Sequence, residues 1–418
     1  MKRYVLFFEN YKESETIEQC DVMKKIMILG AGPFQLSAIK KAQKNGLSVI
    51  ACSNNPSDPG MTIADISCPV STLDKEQLLM VAKREAISGI MTVGSDISVP
   101  TVAFIAEHLR LQGTSQKIAL TITDKGNFRT FLRDSGFPTP SFGVAETVDD
   151  ALKIFTSFNR AAIMKPVLSS GSRGVFLIHS KKDLSEKFSQ SIACSFGRKA
   201  VIIEEFIRGR EVGGEALVFG GKIVFFHLTN KYINSWLVPT GHSMPSDLPV
   251  HIQIEVRTLI QRIVTALGIE ASPINFDIML TVKGPFILEM GCRLGGNCLP
   301  SLMTKSTGID TIVNAIRVAL GETPIIEPFN DPECYRVIIL GSNNEGILQA
   351  ITTELELFNM FPKNIISIQI NCAIGDKIKK FDRGSNNLGY IFLKADTLND
   401  LNKIADTIIN EFKIITTE

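Results

Sequence analysis

Two carboxylates, Asp277 and Glu289, close two apolar runs, PINFDIML and GPFILEM, that are separated by a Lys-Gly-Pro turn. The pattern predicts a hairpin, and a hairpin can bring one acid from each strand onto a shared face. Two carboxylates held together without a cation would repel and raise one pKa, whereas a hard divalent cation would accept both as oxygen ligands. Arg293 and the pair Gly295-Gly296 follow directly. A guanidinium offers a planar fork to carboxylate or phosphate oxygens, and glycines let a ligand approach the backbone closely. The same residues on a solvated surface hairpin would do no chemistry, so partners must come from elsewhere in the chain.

Such partners are present. Lys165 ends the apolar run AAIMK, where an ammonium must meet an anion or reach solvent. It precedes LSSGSRGV, in which Ser170, Gly171, Ser172, Arg173 and Gly174 form a small, flexible loop able to fold over phosphates and donate backbone N–H groups. In VIIEEFIRGRE an apolar strand runs into Glu204, Glu205, Phe206 and Ile207, with Glu211 just beyond. An extended segment that exposes one N–H and one C=O can read an adenine edge, and a nearby carboxylate can accept both ribose hydroxyls. Lys125 follows Thr123-Asp124, and Lys231 follows the run KIVFFHLTN. His242 lies in the proline-rich YINSWLVPTGHSMPSDLP, which is expected to be a loop lining a substrate pocket.

The elements needed to position these groups can be read from periodicity. From Lys25 to about Thr121, apolar runs (KIMILG, LSVIAC, GIMTV) alternate with helical stretches (37–44, 75–84, 99–109), which implies a parallel sheet covered on both faces. The first strand-to-helix turn, Gly30-Ala31-Gly32-Pro33-Phe34-Gln35, is like a dinucleotide fingerprint except that Gln35 takes the place of its third glycine. The next strand ends in Cys52-Ser53-Asn54-Asn55, without an acid for a ribose, which argues against a nicotinamide site. Beyond Lys125 come a helix, the helix breaker FPTPS, a helix over 148–156, and the runs AAIMKPV, GVFLIHS and AVIIEEFI, expected to form one antiparallel sheet. Amphipathic helices are predicted over 254–267 and 309–320, then strands YRVIIL, IISIQI and GYIFLKA with a last helix over 398–412. Met1–Met23 is expected to be an added edge strand and linker.

Composition removes several classes of function. A chain of 418 residues has room for about three domains. The 44 Lys and Arg nearly cancel the 43 Asp and Glu, so no basic field favours nucleic acid. The eight cysteines are scattered without a CxxC pair, as reduced thiols would be, pointing to a cytoplasmic location. No apolar run approaches about 18 residues, so neither secretion nor a membrane span is indicated.

The order Asp124-Lys125, Lys165 before a Gly/Ser loop, Glu204 to Glu211, then Asp277, Glu289 and Arg293 resembles the ATP-grasp superfamily of carboxylate-amine ligases, and most of all its L-amino-acid ligase branch. The resemblance runs from Lys25 to the C-terminus. It implies an α/β fold: an N-terminal parallel α/β domain (24–121, after an extension 1–23), a two-subdomain α+β ATP-grasp core (122–322, its subdomains about 130–206 and 207–322), and a small C-terminal α+β domain (323–418). By that resemblance Lys125, Lys165 and Lys231 hold ATP phosphates under the loop. Glu204 to Ile207 contact adenine, and Glu211 the ribose. Asp277 and Glu289 carry Mg²⁺, expected as two ions that Mn²⁺ can replace. Arg293 acts as the catalytic residue and, with Gly295, Gly296 and His242, binds the substrate. The expected reaction makes an amide or peptide bond through an acyl phosphate from small-molecule carboxylate and amine substrates, in a homodimer. Many members have Glu-x-Asn-x-Arg where this chain has Gly291 between Glu289 and Arg293, so a third side-chain ligand is missing. A purine-biosynthetic or bicarbonate-using ligase of the same superfamily, or a nucleotide-binding regulatory protein without catalysis, are the alternatives.

Overall fold

The computed structural model describes residues 23–158, 160–327 and 333–417. The expectation for 1–23 therefore lies, apart from Met23, outside the described residues. The chain opens with β1 (Lys25–Leu29), α1 (Pro33–Lys44), β2 (Ser48–Cys52), α2 (Pro59–Ile63), β3 (Ile66–Cys68), α3 (Lys75–Arg84), β4 (Gly89–Thr92) and α4 (Val99–Leu109). The strands are parallel in the order β3-β2-β1-β4. Because side chains alternate across a strand, Ile26, Ile28, Val49 and Ala51 face one apolar cluster and Met27, Leu29, Ile50 and Cys52 the other. Gln35 is buried and donates to the Val93 carbonyl. A Cβ on Gly30, whose φ is +94°, would stand 2.9 Å from the Gln35 amide carbon. The side chain thus fills the turn that a dinucleotide phosphate would need.

Next come α5 (Gln116–Thr123), α6 (Lys125–Asp134), β5 (Phe142–Ala145), α7 (Val148–Phe158), β6 (Ala162–Pro166), β7 (Phe176–Ile178), α8 (Lys181–Ala193) and β8 (Val201–Glu205). The expected antiparallel sheet forms in the order β5-β8-β6-β7, with β5 as an added edge, and packs on α7 and α8 through Ala151, Phe155, Leu184 and Phe188.

The remaining elements of the core are β9 (Arg210–Phe219), β10 (Lys222–Ile233), β11 (Pro239–Met244), α9 (Val250–Leu267), β12 (Ala271–Thr281), β13 (Gly284–Gly291), α10 (Leu299–Thr307) and α11 (Thr311–Ala319). Then follow β14 (Cys334–Leu340), β15 (Gly346–Ile351), α12 (Glu354–Met360), β16 (Ile365–Ile370), β17 (Lys377–Ile378), β18 (Gly389–Ala395), α13 (Leu398–Glu411) and β19 (Ile414–Thr417). One sheet crosses both groups in the order β13-β12-β9-β10-β11-β14-β18-β16. Its back face carries Val212, Ala216, Val218, Ile274, Phe276 and Ile278 against Val256, Ile260, Ile263 and Val264 of α9. That burial leaves the opposite face of β9, β10, β12 and β13 for polar residues. Ile312, Ala315, Ile316 and Ala319 of α11 pack in the cluster of Ile26 and Ile28, so α11 covers the N-terminal sheet although it follows the core in sequence.

Candidate active site

The predicted hairpin forms, and Asp277 stands directly opposite Glu289. Continuing the ladder gives one row, Thr229–Gly213–Asp277–Glu289, and two residues along it a second, His227–Glu215–Asn275–Gly291. On the other side of the first row, Lys231 faces His242 and pairs with Glu211. Alternation places all three rows on the front face. Gly213 keeps its row low, because a Cβ there would meet Cε1 of the His242 ring at 3.0 Å.

Each carboxylate of the central pair has its own ammonium. Lys231 Nζ lies 2.8 Å from Asp277 Oδ2 and 2.5 Å from Glu211 Oε1. Burial disfavours that ammonium, but the Asp277 and Glu211 charges outweigh it and hold Lys231 charged above the usual lysine range. Lys125 Nζ donates to the Ser169 carbonyl at 2.7 Å and meets Glu289 Oε1 at 2.9 Å. Desolvation raises the Asp277 carboxyl despite Lys231, whereas Lys125 keeps Glu289 low despite its burial. The position of Lys125 is set locally: Asp124 caps α6 by accepting from Asn127 N, and Lys125 N donates to the Val167 carbonyl.

Lys165 is turned inward. Its ammonium meets Glu204 Oε2 at 2.7 Å, and Glu204 Oε1 accepts from Arg129 Nε at 2.6 Å. Arg129 also donates to the carbonyls of Ile287 and Leu288, tying α6 to the hairpin. Burial alone would raise the Glu204 carboxyl, but Arg129 and Lys165 bring it down to about 2. The Glu204 side chain is therefore occupied within the fold, which leaves the backbone of this segment as the part able to meet a base. Phe206 N donates to Ala161 O, and Glu205 pairs with Arg160 at 2.6 Å. The Gly/Ser loop is folded down. Ser172 Oγ donates to the Leu237 carbonyl, Arg173 donates to Ser170, and Gly384 N, between β17 and β18, donates to the Gly171 carbonyl. Gly171 (φ +65°), Ser172 (φ +57°) and Gly174 (φ +72°) make that path possible.

His242 differs from expectation. It lies on strand β11 rather than in a loop, is buried, and places Nδ1 2.8 Å from Thr229 Oγ1. Burial pushes its imidazole down to about 3, so the ring is neutral. Within YINSWLVPTGHSMP, residues up to Ile233 and from Pro239 to Met244 are strand, joined by a turn over 234–238, because β10 continues to Ile233 and β14 supplies a second partner for β11, neither of which the prolines reveal.

Arg293 is surrounded by the chain's own acceptors. Its Nε and Nη2 hold Asp96 bidentately at 2.8 and 2.7 Å, and Nη1 donates to Asn275 Oδ1 at 2.7 Å. Asp96 comes from the turn after β4, and a Cβ at Gly291 would stand 2.7 Å from Asp96 Oδ1. Gly295 N donates to buried Glu215, whose Oε2 has no partner among the described residues. Desolvation raises that carboxyl to about 7. Gly296 sits beside Gly94 and Phe34, where the core meets the N-terminal domain. Sequence reading missed Arg129, Asp96, Asn275 and Glu215. The Asn two residues before Asp277 and the Glu four residues after Glu211 share strand parity with predicted site residues, a signal that was available. Nothing local marks Arg129 or Asp96.

Opposed acids flanked by lysines fit a divalent cation together with phosphates, the oxygens serving the metal and the ammoniums the phosphates. Among the described residues no group of three or more His, Cys, Asp or Glu converges to hold a metal. No described helix is long and apolar enough to cross a membrane.

Residues 122–297 match the family model described as the ATP-grasp domain. The formate-dependent phosphoribosylglycinamide formyltransferase of Psychromonas ingrahamii is 27% identical over 94% of this chain and 96% of its own. The carbamoyl phosphate synthase large chain of Caldanaerobacter subterraneus is 24% identical over 75% of this chain and 30% of its own. The first curated relatives are matched over 30% to 53% of their own length. Among solved structures, the L-amino acid ligase from Bacillus licheniformis has the same fold, with TM-score 0.78 and 20% identity over 94% of this chain and 99% of its own.

Proposed function

We propose that this chain is an ATP-dependent carboxylate-amine ligase of the ATP-grasp superfamily, joining an amino-acid-like carboxylate to an amine through an acyl phosphate and releasing ADP and phosphate, a reading that its ATP-grasp domain and its similarity to such ligases support. The observation that carries this reading is the opposed pair Asp277 and Glu289 with Lys125 and Lys231 on its two sides. In this reading Lys125, Lys165 and Lys231 bind phosphates, and Ser170 to Gly174 cover them. Glu204 to Ile207 meet adenine through the chain, and Glu211 takes the ribose. Asp277 and Glu289 hold Mg²⁺, which when bound offsets phosphate charge during transfer. Arg293, Gly295, Gly296 and His242 line the acceptor side.

A carboxylate is a poor electrophile, so phosphorylation must precede attack by the amine, and most of the work left to the protein is positioning and charge neutralisation. The folded-down loop supports exclusion of water from an intermediate that water would destroy. Neutral His242 supports orientation of a substrate group without adding charge. We place the protein in the cytoplasm, as a homodimer acting on small molecules.

The test is incubation with Mg-ATP and pooled amino acids. Substrate-stimulated ADP and phosphate are expected, and their absence across broad pools refutes the reading. Glu289→Gln and Arg293→Ala are expected to lower turnover at least about 100-fold; full activity in either refutes its role. The near full-length similarity to a phosphoribosylglycinamide formyltransferase supports a second reading, a purine-pathway or bicarbonate-using ligase. Phosphate release that depends on a phosphoribosyl amine or bicarbonate would select it. ATP binding without turnover in any pool would select a regulatory role.

A further inference from the structure

The reading of the front face as a Mg-nucleotide site leaves one corner unfilled. Asp277 and Glu289 oppose each other, and Asn275 and Gly291 oppose each other two residues along, so the four positions form adjacent corners of one ladder segment. The family's third oxygen donor is expected at 291, beside Glu289. Here that corner has no side chain, and its space is closed because a Cβ would meet Asp96 Oδ1 at 2.7 Å. The remaining corner, beside Asp277, carries Asn275, whose carboxamide is the same functional group.

We propose that Asn275 supplies from β12 the oxygen donor that Gly291 cannot supply from β13, completing with Asp277 and Glu289 a divalent-cation site on this face. The orientation of the amide supports this. Asn275 shares the front face of β12 with Asp277; its Nδ2 donates to the Gly214 carbonyl, which fixes Oδ1 as the acceptor facing Arg293 Nη1 at 2.7 Å. A carbonyl oxygen has two lone pairs, and Nη1 uses one of them. The amide is also the chemistry the site needs. Among the described residues His, Cys, Asp and Glu make no group of three, so a third donor from the chain itself would be of another type, with phosphate and water completing the shell. A neutral oxygen adds coordination without a further buried negative charge beside Asp277, Glu211 and Glu289.

Cation binding tests the proposal independently of turnover. Mn²⁺ binding to the protein–ADP complex is followed by electron paramagnetic resonance, and Cd²⁺ binding by calorimetry, in wild type, Asn275→Ala, Asn275→Asp and Asn275→Cys. Asn275→Ala is expected to weaken Mn²⁺ about tenfold or more while metal-free ADP affinity stays within about twofold. Asn275→Asp keeps an oxygen and is expected to bind Mn²⁺ at least as tightly as wild type. Asn275→Cys presents a soft sulfur, so it should bind Mn²⁺ as weakly as Asn275→Ala yet Cd²⁺ about tenfold more tightly than that variant. A residue that only steadied Arg293 would not exchange cation preference in this way. Wild-type Mn²⁺ affinity in Asn275→Ala, or equal Cd²⁺ affinity in the Ala and Cys variants, overturns the proposal. Should Asn275→Ala fail to fold, loss of Mn²⁺ affinity in Asn275→Asp overturns it instead. If wild type binds no Mn–ADP, the nucleotide reading itself fails, a distinct outcome.

Discussion

At the scale of single residues, two buried carboxylates behave in opposite ways. Glu204 is ionised because Arg129 and Lys165 both reach it. Replacing Arg129, which is 1% exposed, with Met leaves a buried charge half-compensated, and a loss of about 3–5 kcal/mol is expected in denaturant titration. Glu215 is raised to about 7 from an ordinary 4.5, so between those values the folded state holds more protons than the unfolded one. Its contribution is complete below about pH 4.5 and is lost as pH rises through 7. Glu215→Gln keeps an acceptor for the Gly295 amide and does not ionise. Its unfolding free energy relative to wild type, read from denaturant titrations, is therefore expected to climb between pH 5 and pH 8 by an amount on the order of 3 kcal/mol. A difference that stays flat with pH would show that Glu215 is not raised.

At the scale of elements, the hairpin was legible as two strand-like runs with a turn between them, but its register was not: a β-bulge between Asp277 and Ile278 is what brings Asp277 opposite Glu289. The helices over 75–84 and 99–109 were legible through their 3.6-residue period, and both match α3 and α4. What stayed hidden depends on partners remote in sequence. β5 and β19 are edge strands of four residues, too short for a period, and β11 is strand only because β10 and β14 flank it. The site was legible as residue types but not as pairings. Arg293 was visible as a guanidinium beside two acids, but its partner Asp96 lies 197 positions away. The same contact explains Gly291. A methyl group there would press on a carboxylate held by two hydrogen bonds, so Gly291→Ala is expected to cost about 1–3 kcal/mol. In an Asp96→Ser background the cost should fall, and a double-mutant cycle on melting temperature measures the coupling.

At the scale of the whole molecule, the boundary proposed at 323 divides the chain but not the sheet. β14 pairs with β11 along Gly241–Met244, and β18 and β16 extend the same layer. Phe225, Val238, Met244, Leu302 and Met303 share one apolar cluster with Tyr335, Val337, Ile339 and Phe392. A chain ending at residue 327 would bare the β11 edge and that surface together. It is expected to run as aggregate in size-exclusion chromatography, whereas a monodisperse truncated product would show the proposed boundary to be a true folding boundary. The reverse dependence is less visible but has a consequence during synthesis. β1 to β4 are complete once Thr92 has been made, yet one face of their sheet waits for Ile312, Ala315, Ile316 and Ala319 of α11. At about 5–20 residues per second, the roughly 220 residues between them keep that apolar face partly uncovered for some 10–40 s on the ribosome. The nascent chain should therefore depend on a holding chaperone in a way that the finished protein does not.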